Sequence, residues 1–209
     1  MRIPLILLFF ICSTFVLLLI DVFDFTITVE NVVMMGWFSE GVDLGVACLK
    51  LVGSKCSWKK FPGLSFKLRS PLATFLLFGN GKFVCTGTKT KTKAEQAITA
   101  FLDLLKAEGL VSSQCSFECG VKNLVVSINM AGASVSLEQF NSEFDTIYEP
   151  EKFPAAVYKM GESKATFLVF LTGKMICSGV ADEEDLKKTI KEFYNQLVEK
   201  NVIVKILNS

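Results

Sequence analysis

The sequence contains no histidine and has almost no excess charge of either sign, with 22 Lys and Arg against 21 Asp and Glu in 209 residues. Without histidine there is no serine–histidine–aspartate triad, no histidine metal ligand and no imidazole general base. No phosphate-binding loop and no pair of acids at a recognisable spacing appears either. A near-neutral net charge gives no sign of a polyanionic partner, because nucleic-acid-binding domains are usually strongly basic. The sequence therefore offers no support for an enzyme.

The cysteines lack the arrangement of a metal site. There are seven of them, an odd number, and none forms a CxxC pair. Cys115 and Cys119 lie four positions apart, but no second pair is present to complete a tetrahedral zinc site. We expect reduced, partly buried thiols, as is usual in a reducing compartment, and no metal or cofactor.

Residues 1–24 are strongly apolar, with an almost unbroken apolar run over 3–20 between Arg2 and Asp21. The run is long enough for a membrane-spanning helix and is also similar to the apolar part of a signal peptide. No small-residue cleavage site precedes Asp21, which argues against simple secretion. Three interpretations stay open: a membrane segment, an apolar extension buried elsewhere, and a start site assigned too far upstream.

The rest of the chain is a tandem duplication with a constant offset of 92 residues. When residues 61–87 are aligned with 153–179, 12 of the 27 positions are identical without a gap. The same offset relates Asn31 to Asn123 and Phe101 to Phe193. Self-similarity at a fixed period indicates a repeated structural unit. We predict repeats over residues 25–112 and 113–209.

Each repeat has the same order of predicted elements. A strand (27–34 and 124–130) precedes a short helix (42–49 and 136–140), several short strands and a long amphipathic helix. Asn80-Gly81 predicts a two-residue hairpin. Gly109 is a typical helix stop, and Asp182 is a typical N-cap. This order predicts an α+β fold, an antiparallel sheet with its helices on one face. If the two sheets are continuous, the other face is uncovered and available to a partner.

The uncovered face has a defined composition, because alternate residues of a strand share a face. Its members, at matching positions of the two repeats, are Leu76, Phe78, Val84 and Thr86, and Leu168, Phe170, Ile176 and Ser178. Asn31 and Asn123 add two amides around the twofold axis. An apolar surface with a few amides suits the DNA minor groove, where A·T pairs present acceptor atoms and sugar edges.

Short motifs give this pattern a family resemblance. Over residues 26–205 the chain resembles the TATA-box-binding protein family, which implies a pseudo-twofold saddle with a curved antiparallel sheet and helices on its convex face. The motifs stand in the family's order: Lys60-Phe61-Pro62-Gly63-Leu64, Phe78-Gly79-Asn80-Gly81-Lys82, Cys85-Thr86-Gly87, Asn123-Leu124-Val125, Tyr148-Glu149-Pro150-Glu151, Phe153-Pro154 and Thr172-Gly173-Lys174.

The resemblance implies a role for each matching residue. Two phenylalanine pairs would enter base steps and kink the duplex, a behaviour for which this family is itself a known example: Phe61 with Phe78, and Phe153 with Phe170. Asn31 and Asn123 would donate to central base pairs, and Thr86 and Ser178 would hydrogen-bond bases. The apolar contacts to base and sugar edges would come from Val33, Val125, Leu76, Leu168, Val84 and Ile176. The phosphate contacts would come from Lys67, Lys159, Lys82, Lys174 and Lys89.

The implied function is a general transcription initiation factor in the nucleus that binds and bends TATA-like, A/T-rich double-stranded DNA. Glu149 and Glu151 would contact transcription factor IIB, and factor IIA and the RNA polymerase machinery would be further partners. The chain departs from the family pattern at Ser178, Val180-Ala181, Lys152, Asp103 and Glu108. The low net charge and the apolar segment favour a second hypothesis: a divergent interaction module with weak or lost DNA binding, membrane-associated if 3–20 spans a bilayer.

Overall fold

Two copies of one unit follow each other in the computed structural model, which describes residues 25–161 and 163–205. The first unit contains β1 (Phe25–Phe38), α1 (Leu44–Lys50), β2 (Lys55–Cys56), β3 (Leu64–Arg69), β4 (Leu72–Leu77), β5 (Lys82–Thr88) and α2 (Lys91–Ala107). The second contains β6 (Phe117–Met130), β7 (Ala133–Val135), α3 (Leu137–Glu143), β8 (Thr146–Ile147), β9 (Ala155–Lys159), β10 (Thr166–Phe170), β11 (Lys174–Val180), α4 (Glu183–Glu199) and β12 (Ile203–Lys205).

The apolar segment predicted at 1–24 lies outside the described residues. Among the residues that are described, no helix has both the length and the apolar character needed to span a membrane.

Ten strands form one continuous antiparallel sheet, in the order β2-β3-β4-β5-β1-β6-β11-β10-β9-β8. The two repeats meet at its centre, where β1 pairs with β6 along the whole length of both strands. β7 and β12 form a separate two-stranded sheet. The predicted α+β saddle of two repeats sharing one sheet is therefore confirmed.

The pairing of β1 with β6 is symmetric. Asn31 lies opposite Val125, and Val33 lies opposite Asn123. Since residues 31 and 33 become 123 and 125 under the repeat offset, each of these pairs is the twofold image of the other. The axis passes through the pair between them, Val32 and Leu124.

Two β-bulges interrupt this strand pair at equivalent positions. In β1 the register shifts by one residue between Val29 and Asn31, which leaves Glu30 without a residue opposite it. In β6 it shifts between Asn123 and Val121, which leaves Lys122 without one. Glu30 and Lys122 are themselves 92 residues apart. In a bulge two residues oppose one, so the strict alternation of side chains between the faces breaks there.

The long helices cover one face of the sheet through stacked aromatic rings. Phe101 of α2 stacks on Phe75 with 4.2 Å between centroids, and Phe193 of α4 stacks on Phe167 at 4.0 Å. These four rings are at most 1% exposed. The abundance of phenylalanine therefore has a largely structural cause, and burial of each ring stabilises the fold by several kcal/mol, about 3–5 when lost to alanine.

The predicted ends of the long helices are confirmed. The Asp182 carboxylate accepts hydrogen bonds from the backbone N–H groups of Glu184 and Asp185, which caps α4. Gly109 follows α2 with a φ of +64°, a left-handed conformation that glycine adopts without a side-chain clash.

The hairpin at Asn80-Gly81 forms where predicted, but its loop has three residues, so the two-residue prediction was wrong. The N–H of Phe78 donates to the carbonyl of Lys82 at 2.9 Å, which leaves residues 79–81 as the loop. Gly81 has a φ of +81°, and a Cβ there would collide with the carbonyl oxygen of Glu40. A turn followed by a left-handed glycine is a common three-residue connection.

The prediction of reduced thiols was wrong for one pair. Cys48 at the end of α1 forms a disulfide with Cys56 in β2, eight residues away. The spacing of these two cysteines follows no recognised motif, and only the fold brings them together. Among the described residues the free cysteines are Cys85, Cys115, Cys119 and Cys177.

Candidate nucleic-acid interface

We call the side of the ten-stranded sheet opposite α2 and α4 the open face. Strand alternation separates it from the core: Val32 is 2% and Leu124 4% exposed, whereas their neighbours on both strands are only half-buried. The predicted apolar contact residues all lie on the open face and all are half-buried: Val33, Val125, Leu76, Leu168, Val84 and Ile176. The structure thus brings together residues that are far apart in the sequence. They lie on the four central strands β5, β1, β6 and β11 and on the two flanking strands β4 and β10.

The two asparagines are held in defined orientations. The N–H of Gly87 donates to Oδ1 of Asn31 at 2.8 Å, and the N–H of Gly179 donates to Oδ1 of Asn123 at 2.7 Å. Because a backbone donor fixes each oxygen, the amide nitrogens are identified and are directed away from the glycines. The open face therefore carries two oriented amide donors beside its twofold axis.

The hydroxyl neighbours of the two asparagines differ. Nδ2 of Asn31 donates to Oγ1 of Thr86 at 2.9 Å, which leaves the second amide hydrogen for a ligand. Ser178 occupies the matching place beside Asn123, half-buried on the same face. Within the described chain no hydrogen bond joins Ser178 to Asn123. The second repeat thus presents a less constrained amide than the first.

The four predicted wedge rings form two pairs outside the core. Phe61 and Phe78 are 5.6 Å apart between centroids, and Phe153 and Phe170 are 6.2 Å apart, both edge to face. Phe153 is 44% exposed, and the other three rings are half-buried. Their positions flank the ends of β3, β4, β9 and β10, one pair in each repeat, so the two pairs are related by the pseudo-twofold axis.

All five predicted phosphate-binding lysines are exposed. Lys67 and Lys159 lie on matching strands β3 and β9, and Lys82 and Lys174 begin β5 and β11. Lys89 differs, since its Nζ lies 2.8 Å from a carboxylate oxygen of Glu30 and forms an ion pair with it. Lys89 is therefore already paired with an acidic residue of the open face, Glu30.

Glu30 is a residue that the sequence analysis missed. Alternation from Asn31 puts Glu30 on the buried side, but the bulge turns it to the open face, where its other oxygen accepts from the Ser127 hydroxyl at 2.8 Å. The hydrogen bonds from Lys89 and Ser127, together with the charges of Lys89 and Lys174, lower the pKa of Glu30. In the sequence, only the repeat offset could have drawn attention to Glu30, because it relates this residue to Lys122, a residue of opposite charge.

Two more missed residues lie toward the far ends of the central strands. Trp37 of β1 and Glu118 of β6 are directly paired, and both are exposed on the same side as Asn31. Trp37 is 50% exposed. The first strand was predicted to stop at residue 34 and its repeat equivalent to start at 124, and for that reason neither residue entered the predicted site.

The predicted partner-binding acids lie in the loop between β8 and β9. Glu149 and Glu151 are both exposed. A carboxylate oxygen of Glu149 lies 2.6 Å from Nζ of Lys152, an exposed ion pair three residues apart. Such a pair is weak, about 0.2–1 kcal/mol, so both carboxylates stay accessible to a partner.

The fold and the open face together define a class of protein. It is a saddle of two tandem repeats, with two oriented amides at the centre of the open face and a pair of phenylalanine rings at each end. The family described as transcription factor TFIID (or TATA-binding protein, TBP) matches residues 26–107 and 118–200. This chain is therefore a member of the TATA-box-binding protein family.

Individual relatives agree with that membership. The TATA-box-binding protein of Methanobrevibacter smithii is 34% identical over 181 residues, which span 86% of this chain and 99% of the relative. That of Pyrobaculum aerophilum is 34% identical over 176 residues, 84% of this chain and 87% of the relative. The solved structure of Methanococcus jannaschii TBP superposes with a TM-score of 0.74 at 31% identity, and covers 83% of this chain and 98% of its own.

Proposed function

We propose that this protein is a general transcription initiation factor whose open face binds the minor groove of TATA-like, A/T-rich DNA and bends it. The observation that carries the proposal is the symmetric placement of two oriented amide donors, Asn31 and Asn123, in an apolar surface with a phenylalanine pair at each end. Family membership supports the same function.

The amides suit the chemistry of A·T pairs. In the minor groove adenine N3 and thymine O2 are acceptors, and A·T and T·A present the same pattern. Asn31 and Asn123 direct N–H donors outward because Gly87 and Gly179 hold their oxygens. Val33 and Val125 beside them would contact the sugar and base edges, where a polar group would lose its hydration without gaining a partner.

The phenylalanine pairs would act as wedges at the two ends of the site. Apolar side chains that enter base steps unstack them and kink DNA toward the major groove, and the TATA-box-binding protein is itself a known example. Pyrimidine–purine steps such as TA are the easiest to kink. The sequence preference of this chain would therefore come mostly from deformability, with each amide favouring an A·T pair at the one position that it contacts.

The remaining assignments follow from the family and from exposure. Lys67, Lys82, Lys159 and Lys174 would contact phosphates, and Lys89, whose ammonium has three donors, would do so while it stays paired with Glu30. The exposed loop with Glu149 and Glu151 would bind a factor of the IIB type. A factor of the IIA type and the polymerase machinery would be further partners, and the protein would act in the compartment that holds the DNA, the nucleus in a eukaryotic cell.

The test is a titration of the full chain on a TATA-like duplex and on a scrambled duplex of the same composition. Each duplex carries a donor and an acceptor dye at its ends, so that affinity and bending are read together. We expect tighter binding and higher transfer efficiency with the TATA-like duplex. Equal affinity for both duplexes, or binding without a change in transfer, would instead support the interaction module with weak DNA binding.

A further inference from the structure

Glu30 places a negative charge on the open face, next to one of the two oriented amides. The bulge in β1 turns Glu30 and Asn31 to the same side. The Glu30 side chain is 42% exposed and accepts a hydrogen bond from Ser127 on the neighbouring strand β6. Ser127 is paired in turn with Ile176, one of the apolar residues of the face. The carboxylate therefore lies within the proposed DNA-binding surface.

The contacts of Glu30 fix its position and leave it room for a further partner. One oxygen accepts from Lys89 and the other from Ser127, each at 2.8 Å. An ionised carboxylate has about four acceptor sites and no donor, so roughly half of its capacity is unused. The ion pair with Lys89 also reduces the repulsion that a bare charge would meet beside the phosphates.

The minor groove contains one kind of base donor that a carboxylate can accept from. A·T pairs show only adenine N3 and thymine O2, both acceptors, which would repel the oxygens of Glu30. A G·C pair adds the 2-amino group of guanine, which is a donor. A hydrogen bond to an ionised acceptor is roughly twice as strong as a neutral one.

The two halves of the face differ at this position. The repeat equivalent of Glu30 is Lys122, the exposed residue of the second bulge. Lysine has only donors, which suit the acceptors of A·T pairs. The pseudo-twofold face thus carries an acceptor on one side of its centre and a donor on the other.

We propose that Glu30 accepts a hydrogen bond from the 2-amino group of a guanine in the minor groove, so that the preferred site contains a G·C pair on one side of its centre. The proposal rests on the proposed function, since it requires that the open face bind the groove. Within that function it makes Glu30 a specificity-determining residue and makes the target asymmetric.

The experiment compares guanine with inosine, which lacks only the 2-amino group. A TATA-like duplex is prepared with a G·C or an I·C pair at each position in turn, and the affinity of the full chain is measured for every member. We expect one position beside the centre at which G·C binds about tenfold tighter than I·C, in keeping with the discrimination of a well-placed base contact. At the symmetric position I·C should bind tighter. Glu30→Gln keeps only a neutral amide oxygen as the acceptor and should reduce the difference at the first position.

Glu118→Gln is the matched control, because it removes the same charge from the same side of the sheet. Glu118 lies beyond the central pairs, opposite Trp37, and should leave the guanine–inosine ratio unchanged. If both variants change affinity equally on all duplexes, Glu30 acts only through its charge and the proposal is overturned. Tighter binding of I·C at every position would also overturn it, with the proposed function intact. Failure to bind any duplex would overturn both.

Discussion

Replacement of Phe153 by alanine should weaken DNA binding strongly while leaving the fold stable. Its ring stands 44% exposed in the loop between β8 and β9, in contact with Phe170 at 6.2 Å between centroids. A phenylalanine side chain exposes about 200 Å² when free, so about 90 Å² is available for burial in a base step. At about 25 cal/mol per Å² this corresponds to about 2 kcal/mol.

Such a loss lowers affinity by about 30-fold, since every 1.4 kcal/mol is about a factor of ten. The assay is the dye-labelled TATA-like duplex titrated with the full chain, which reports affinity and end-to-end distance together. We expect Phe153→Ala to show both weaker binding and a smaller bend. Phe61→Ala, at the equivalent position of the first repeat, should have the same direction of effect at the opposite end of the duplex.

Val198→Ala serves as the control, because Val198 is 49% exposed but lies on helix α4, on the other side of the sheet. It removes apolar surface of similar exposure and should change neither affinity nor bending. The wedge role of Phe153 would be refuted if its alanine variant bent the duplex as the parent does. It would also be refuted if the variant lost binding only through a lower unfolding temperature.

Three further outcomes follow from the structure. Phe193→Ala should lower the free energy of unfolding by about 3–5 kcal/mol, because it removes a fully buried ring stacked on Phe167. Thermal unfolding followed by circular dichroism measures this loss. A change below about 1 kcal/mol would contradict the stacked core. Burial raises the pKa of Cys85 and of Cys177 to about 12, so neither should react with iodoacetamide at about pH 8 in the folded chain, whereas both should react after unfolding. In the unfolded chain these thiols have the ordinary pKa of 9.0 and ionise at a lower pH than in the folded chain. Their contribution to stability is therefore present below pH 9.0 and is lost as the pH rises toward about 12. The logarithm of the DNA-binding constant should fall with the logarithm of the salt concentration, with a slope of about −4.5 from the five lysines proposed to reach phosphates. A salt-independent affinity would contradict those contacts.

Much of the candidate site could be predicted because a duplication repeats its information. A phenylalanine in a strand is ordinarily a core residue, and Phe75 and Phe167 are core residues here. The repeat offset marked Phe61 and Phe153 as a matched pair within shared motifs, and the structure places both outside the core. Period-two alternation then assigned the strand residues to the correct face, because the side-chain direction in a regular strand depends on local geometry alone.

Local rules failed where the result depended on distant residues. The three-residue loop of the hairpin at Asn80-Gly81 lies against the backbone of Glu40, which is in another part of the chain and leaves no room for a side chain at Gly81. The disulfide depends on the placement of Cys48 in α1 next to Cys56 in β2. Neither constraint is present in the few residues that the sequence rule considered.

The sequence by itself determined the duplication, the order of the elements, the helix ends and the alternation that separates core from open face. These depend on spacing and on the propensities of neighbouring residues, which a linear pattern records. Only the tertiary structure decided that β1 pairs with β6 about a twofold axis, and that a bulge turns Glu30 to the open face, where Lys89 and Ser127 hold it. A bulge is a mismatch between two paired strands, so it exists only when both strands have met.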